Sequence, residues 1–269
     1  MIALTLECAG EEAELVAAEL WERGAAGIQE EELPGGRTKL KAWFDAGEGL
    51  REQFAAYAPE IVEEEEQDWE AEWRRAWAPF AVGERWWLAP EWDETPAPEG
   101  RLRLTVHPGM ALGTGAHPAT QLCLRALEGE VAPGDRVLDV GTGSGILLSA
   151  AARLGAGVRL GCDIDPAAAA AAAANLARDH LAAHVFAGSL RAVADGAADV
   201  VAANLNAVTH EALAGEYARV ARRRVILSGY PARHAARVEA AMAERGWRTA
   251  DRLEQEDWVC HIFSRADGS

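Results

Sequence analysis

Lysine is nearly absent from this chain of 269 residues: Lys39 and Lys41 are its only two, and the rest of its basic set is arginine. The 43 acidic side chains outnumber the 26 basic ones and leave a net charge of -17. Clusters of cations that neutralise a phosphate backbone are therefore missing, which argues against a nucleic-acid duplex as the main partner. The acidic balance suits a basic protein partner or simple solubility. Cysteine pairs are missing too. Cys8, Cys123, Cys162 and Cys260 stand far apart, mostly among apolar neighbours, where a thiol serves as a small core residue. There is neither a signal peptide nor an apolar run of membrane-spanning length, so the expected setting is the reduced cytoplasm, with no membrane partner. His180 and His184 have helical metal-ligand spacing, but they flank an expected helix end and lack a third ligand. They read as exposed loop histidines, and no metal is expected. No Ser-His-Asp order or nucleophile elbow is present.

What is present is ordinary for a globular protein, with 49% hydrophobic and 26% charged residues and room for one large or two modest domains. Residues 2–7 alternate like a half-buried strand, Glu11 to Arg23 has helical spacing ended by Gly24, and Gly27 to Glu30 is strand-like. Pro34-Gly35-Gly36 turns the chain into a second alternating run, Thr38 to Phe44, as a hairpin. Gly49 to Tyr57 suggests a helix stopped by Pro59, and Ile61-Val62 opens a weak last strand. The order β-α-β-β-α-β is that of a small α+β, ferredoxin-like domain over residues 1–65. Residues 66–100 are expected to form a helical linker region. Trp69, Trp73 and Trp77 line one side of a helix there, as an aromatic seam or as a stacking platform, Val82 to Leu88 looks like a strand, and a Pro-rich acidic loop or linker runs from Pro90 to Gly100.

From residue 101 to residue 269 the pattern is α/β. After a strand at 101–106, the glycine-rich stretch 107–120 precedes a helix at 119–127. Strands near 136–140, 158–162, 183–187, 198–203 and 223–228 alternate with helices near 145–154, 166–178, 207–221 and 233–245, the mark of a doubly wound parallel sheet. Two last runs, 247–253 and 258–263, are joined too briefly for a helical crossover. They form a hairpin and so contribute one antiparallel strand. The expected fold is therefore a Rossmann-like sheet of seven strands.

The centre of this domain is Val137-Leu138-Asp139-Val140-Gly141-Thr142-Gly143-Ser144-Gly145, a strand that breaks into glycines and runs straight into a helix. Gly141 and Gly143 bring the backbone close to a ligand that faces the helix N-terminus. A dinucleotide fingerprint needs its third glycine at 146, where this chain has Ile146, so an NAD enzyme is disfavoured and a ligand without pyrophosphate, such as S-adenosylmethionine, fits better. Asp163 ends the second strand about 20 residues on, where a ribose diol is gripped, while Asp165-Pro166 reads as a helix cap. Asp139 either steadies the turn or meets the charged end of the ligand. Asn204 ends the fourth strand on the ligand side and can accept a hydrogen bond from an incoming amine, whereas Asn206 reads as the helix cap. His117 is either the cap of the helix that starts there or a polar, proton-accepting group near the amine.

Several stretches together resemble one family. Asp68-Trp69 with Trp73, Pro108-Gly109-Met110-Ala111-Leu112-Gly113-Thr114-Gly115-Ala116-His117-Pro118-Ala119-Thr120, Leu138 to Gly145, Asp163-Ile164-Asp165-Pro166 and Ala203-Asn204 are similar to the ribosomal protein L11 methyltransferases, over nearly the whole chain. The resemblance implies a class I methyltransferase domain and S-adenosylmethionine as cofactor, held at Thr120, Gly141, Asp163 and Asn204. It implies a basic ribosomal protein as substrate, recognised by the N-terminal domain and methylated on an α-amine and on lysine side chains. The family usually has Thr-Thr where this chain has Ala119-Thr120, and an apolar residue at the place of Asn206. The sequence leaves the oligomeric state open, with a monomer favoured. The competing readings are a methyltransferase for another protein lysine or a small-molecule amine, and a non-catalytic module that only binds the cofactor.

Overall fold

The computed structural model describes residues 2–25, 27–44, 46–63, 77–107 and 115–266. The chain divides into two compact units, Met1–Ala76 and Trp77–Ser269. Most of the tryptophan-rich segment expected as a helix at 68–77, and the stretch 108–114, lie outside the described residues.

In the first unit the order is β1 (Ile2–Ala9), α1 (Ala13–Glu22), β2 (Gly27–Leu33), β3 (Arg37–Phe44), α2 (Leu50–Gln53) and β4 (Glu60–Glu63). The sheet runs β2-β3-β1-β4 with every pair antiparallel. Successive strand side chains point to opposite faces, so Leu4, Leu6, Cys8, Leu40 and Ala42 pack with Val16 and Leu20 of α1 into one core. Glu7, Arg37, Lys39 and Lys41 fall on the alternate positions, where Arg37 pairs with Glu7 at 3.0 Å and Lys39 with Glu31 at 3.6 Å. The helix expected from Gly49 to Tyr57 is a single turn, α2, followed by a 3-10 turn at Ala55–Tyr57. Ala58 adopts the left-handed conformation, with φ at 47°, and so ends the coil one residue before Pro59.

The second unit begins with β5 (Phe80–Val82), β6 (Trp86–Pro90) and β7 (Leu102–Val106), a separate sheet with β5 antiparallel and β7 parallel to β6. Two of these strands lie within 66–100, the expected linker region; the single strand expected from Val82 to Leu88 is instead the β5–β6 hairpin, with its turn at 83–85. Trp86 and Leu88 are buried in the same core as the helix that follows, and the Trp86 indole donates to the Leu124 carbonyl at 2.8 Å. The Pro-rich acidic loop is thus an excursion between two paired strands.

The large sheet contains β8 (Arg136–Val140), β9 (Val158–Asp163), β10 (His184–Ala187), β11 (Ala198–Asn204), β12 (Ala221–Pro231), β13 (Trp247–Gln255) and β14 (Trp258–Arg265). Its order is β10-β9-β8-β11-β12-β14-β13, and β14 runs antiparallel to both of its neighbours. The helices are α3 (Pro118–Glu130), α4 (Ile146–Arg153), α5 (Pro166–Arg178), α6 (Ala207–Val220) and α7 (Ala235–Ala243). Neighbouring strand residues divide between two cores. Val137, Val200, Ala202 and Ile226 pack with α3 and α4, whereas Leu138, Val201, Ala203 and Leu227 pack with α6 and α7. A sheet buried on both faces brings the carboxyl ends of its parallel strands together at one rim, where ligands of this architecture bind.

Candidate active site

At that rim β8 leads into the glycine turn. Gly141 has φ at 72°, a left-handed conformation that favours glycine, and a Cβ there would stand 2.5 Å from the end of the Leu205 side chain, just after β11. Its N–H donates to the Cys162 carbonyl at 2.8 Å, which ties the turn to β9. Gly143 N–H donates to Asp163 Oδ2 at 3.0 Å, and Asp165 N–H donates to Asp163 Oδ1, also at 3.0 Å. One backbone donor per oxygen orients the half-buried Asp163 carboxylate. A carboxylate has about four acceptor sites, so roughly two remain for a ligand hydroxyl pair. Asp165 Oδ1 accepts from Ala167 N–H at 2.8 Å, and so Asp165 is the cap of α5.

Asp139 lies one residue before the end of β8 and is 1% exposed. Its Oδ2 accepts from the Thr142 hydroxyl at 2.8 Å, so it does steady the turn. Its Oδ1 is buried with no hydrogen-bond partner among the described residues. Burial pushes this carboxyl up to about 7, the Thr142 hydrogen bond opposes the shift, and the negative charge of Asp163 adds to it.

The other side of the rim is formed by α3 and β11. Asn204 Nδ2 donates to Thr120 Oγ1 at 3.0 Å, across 84 residues of sequence. Thr120 is buried, and the Asn204 amide oxygen lies against Gly229 of β12. His117 caps α3, with Nδ1 accepting from Ala119 N–H at 3.2 Å. Its ring meets the half-buried Trp258 indole edge-on, with centroids 4.4 Å apart. Asn206 caps α6, where its Oδ1 accepts from the Thr209 N–H at 2.9 Å.

The structure therefore joins Thr120 to Asn204 and Gly143 to Asp163, sets Gly141 beside Leu205, and makes His117 a helix cap next to Trp258. Trp258 was read from sequence only as the start of a strand. A large aromatic placed at the ligand-side end of a strand, just after a tight turn, was the available signal. His180, in a left-handed turn with φ at 56°, and His184, at the start of β10, are both exposed and share no helix.

Comparison with known proteins adds an independent line. The family model described as ribosomal protein L11 methyltransferase matches residues 1–266. A ribosomal protein L11 methyltransferase of Myxococcus xanthus is 35% identical over 278 residues, covering 96% of each chain. One from Chromohalobacter salexigens is 42% identical over 229 residues, covering 79% of this chain and 74% of its own. The crystal structure of ribosomal protein L11 methylase from Lactobacillus delbrueckii subsp. bulgaricus superposes with a TM-score of 0.64 at 30% identity, over 71% of this chain and all of that one.

Proposed function

The chain belongs to the ribosomal protein L11 methyltransferase family, and from that premise we propose that it methylates amines of ribosomal protein L11 with S-adenosylmethionine. Its second unit has the class I methyltransferase fold. The observation that carries the amine assignment is the hydrogen-bonded pair Thr120–Asn204, held at the same sheet rim as the glycine turn and Asp163. A pocket that only bound the cofactor would not need a carboxamide oriented from two elements.

The residues present suit S-adenosylmethionine. Asp163 retains acceptor capacity for a ribose diol. The Asp139 Oδ1, buried and without a partner among the described residues, suits an ammonium group. Thr120, Gly141 and Gly143 complete the set that would hold the cofactor. When bound, that cofactor supplies a methyl group already activated by sulfonium charge.

The task left to the protein is to present a neutral amine. Deprotonating a lysine of ordinary pKa at pH 7 costs about 4.6 kcal/mol, and an α-amine near 8 costs about 1.4 kcal/mol. Desolvation at the rim lowers the amine pKa, and alignment converts the transfer into an intramolecular step. With Nδ2 engaged by Thr120, the Asn204 Oδ1 is the group that accepts an amine N–H and turns the nitrogen lone pair towards the methyl. Because Nδ1 of His117 is occupied by its capping bond, the neutral ring presents Nε2–H, a donor. We therefore assign His117 a polar positioning role at the pocket wall, and the released proton goes to water.

The first unit is read as ferredoxin-like and as the part that recognises the substrate, supported by its strand order and by β3 lying between β1 and β2. The setting is read as cytoplasmic, supported by four cysteines that are all free and buried. Incubation with isotope-labelled S-adenosylmethionine and purified large-subunit proteins, followed by mass spectrometry, should place the label on ribosomal protein L11. Label on another protein alone would overturn the substrate assignment. Asn204→Ala should lower the transfer rate about 100-fold, and an unchanged rate at saturating cofactor would end its proposed role.

A further inference from the structure

His210 lies on the first turns of α6 and is 1% exposed. Its Nε2 stands 2.8 Å from the Ser228 carbonyl oxygen and its Nδ1 stands 3.1 Å from the Tyr217 hydroxyl. A carbonyl only accepts, so Nε2 carries the proton, and the tyrosine hydroxyl donates to Nδ1. Burial lowers the His210 pKa to about 4, so the ring is neutral across the physiological range and its tautomer is set by these two partners.

The carbonyl that His210 engages belongs to the residue paired with Asn204, since β11 and β12 run in the register Asn204 to Ser228. The same oxygen accepts the Leu205 N–H at 2.9 Å. Its two lone pairs are thereby filled, one by the helix that follows the site and one by the peptide just after Asn204. Gly229 completes the arrangement. Its φ is 98°, and a Cβ there would meet the Leu205 oxygen at 2.5 Å and the Asn204 amide oxygen at 2.7 Å. The end of β12 thus lies directly against the carboxamide, and the place of that strand end is set by the Ser228 carbonyl.

We infer that His210 is the positioning residue for Asn204: by donating Nε2–H to the Ser228 carbonyl it clamps the β11–β12 end and fixes the direction of the carboxamide that receives the amine. This rests on the role proposed above for Asn204. His210 touches neither cofactor nor substrate in this assignment. Ala207, His210, Ala214 and Tyr217 form a buried stripe on α6, so a polar ring sits where helical spacing calls for an apolar one. The sequence carried that signal, and the chemistry needs the partner strand to be seen.

The test compares His210→Leu, which removes the donor, His210→Gln, whose Nε2–H reaches a similar place, Asn204→Ala, and the double variant Asn204→Ala with His210→Leu. All are assayed as the full chain well below their melting temperatures, with S-adenosylmethionine and ribosomal protein L11. His210→Leu should lower kcat about 10- to 100-fold with KM for the protein substrate little changed, and His210→Gln should recover most of it. In the double variant His210→Leu should add nothing to Asn204→Ala. The shape of the rate profile between pH 6 and 9 should be the same in wild type and both His210 variants, because the ring does not titrate there. Equal losses in the Leu and Gln variants, additive losses in the double variant, or a missing pH limb would overturn the inference while leaving the role of Asn204 standing. An unaffected Asn204→Ala rate would remove both.

Discussion

Asp139 carries the largest electrostatic cost in the site, with a carboxyl buried at the end of β8, one oxygen on Thr142 and the other without a partner. Its folded pKa of about 7 lies above the ordinary carboxylate value. From about pH 4 to 7 the folded state therefore retains a proton that the unfolded chain has lost. The stability contributed by this group is complete below that window and is lost as pH rises through it. Asp139→Asn should abolish that slope and make the ligand-free protein more stable at pH 8, by up to about 4 kcal/mol on three pKa units. Urea unfolding at pH 5 and pH 8 measures it, and an equal pH dependence in the two proteins would refute the protonation argument. A buried carboxyl retained at such a cost fits a group kept for a cationic ligand. The sequence placed Asp139 before the glycines but left its role open, because burial and a vacant oxygen are properties of the packed strands around it.

Among the elements, the tie between β11 and β12 is the most sensitive. Gly229→Ala puts a Cβ against backbone atoms of Leu205 as well as the Asn204 amide oxygen, where no side-chain rotation relieves the contact. It should destabilise the protein by about 2–4 kcal/mol and depress methyl transfer further than the lost folded fraction explains. Gly246→Ala is the control. Its φ of 78° is equally unfavourable, yet none of the described residues lies within 4 Å of the new Cβ, so only about 1 kcal/mol of backbone strain is expected. Thermal unfolding of both variants beside their specific activities separates the two effects. The strands and helices of the large sheet were legible because strand alternation and helical spacing are local. The helix at 49–57 was overestimated because the left-handed turn at Ala58 and the short α2 are set by packing. The single strand expected from Val82 to Leu88 is split by a turn into β5 and β6, because β6 is placed by partners outside its own sequence neighbourhood: parallel pairing with β7 and burial against α3.

For the molecule as a whole, each unit has its own hydrophobic core. A chain starting at Trp77 should therefore fold and keep its affinity for S-adenosylmethionine, while the recognition role proposed for the first unit predicts that kcat/KM for ribosomal protein L11 falls by about 100-fold or more. Calorimetric titration of the cofactor and label transfer to the ribosomal protein are the two measurements. Retained kcat/KM would show that the first unit is not the recognising part.

The sequence by itself determined the alternating course of the large sheet, the case against a dinucleotide through Ile146, and the residues that mark the family. Each of these depends on neighbours along the chain or on a motif of fixed spacing. Only the tertiary structure decided what those residues do to one another. It turned the Asn204 amide towards Thr120, settled His117 as a cap beside Trp258, and left one Asp139 oxygen unpartnered. It also made His210 a clamp on the strand next to the site. The physical reason is that hydrogen-bond direction and burial depend on atoms that packing brings together in space, as across the 84 residues between Thr120 and Asn204, and no local pattern encodes them.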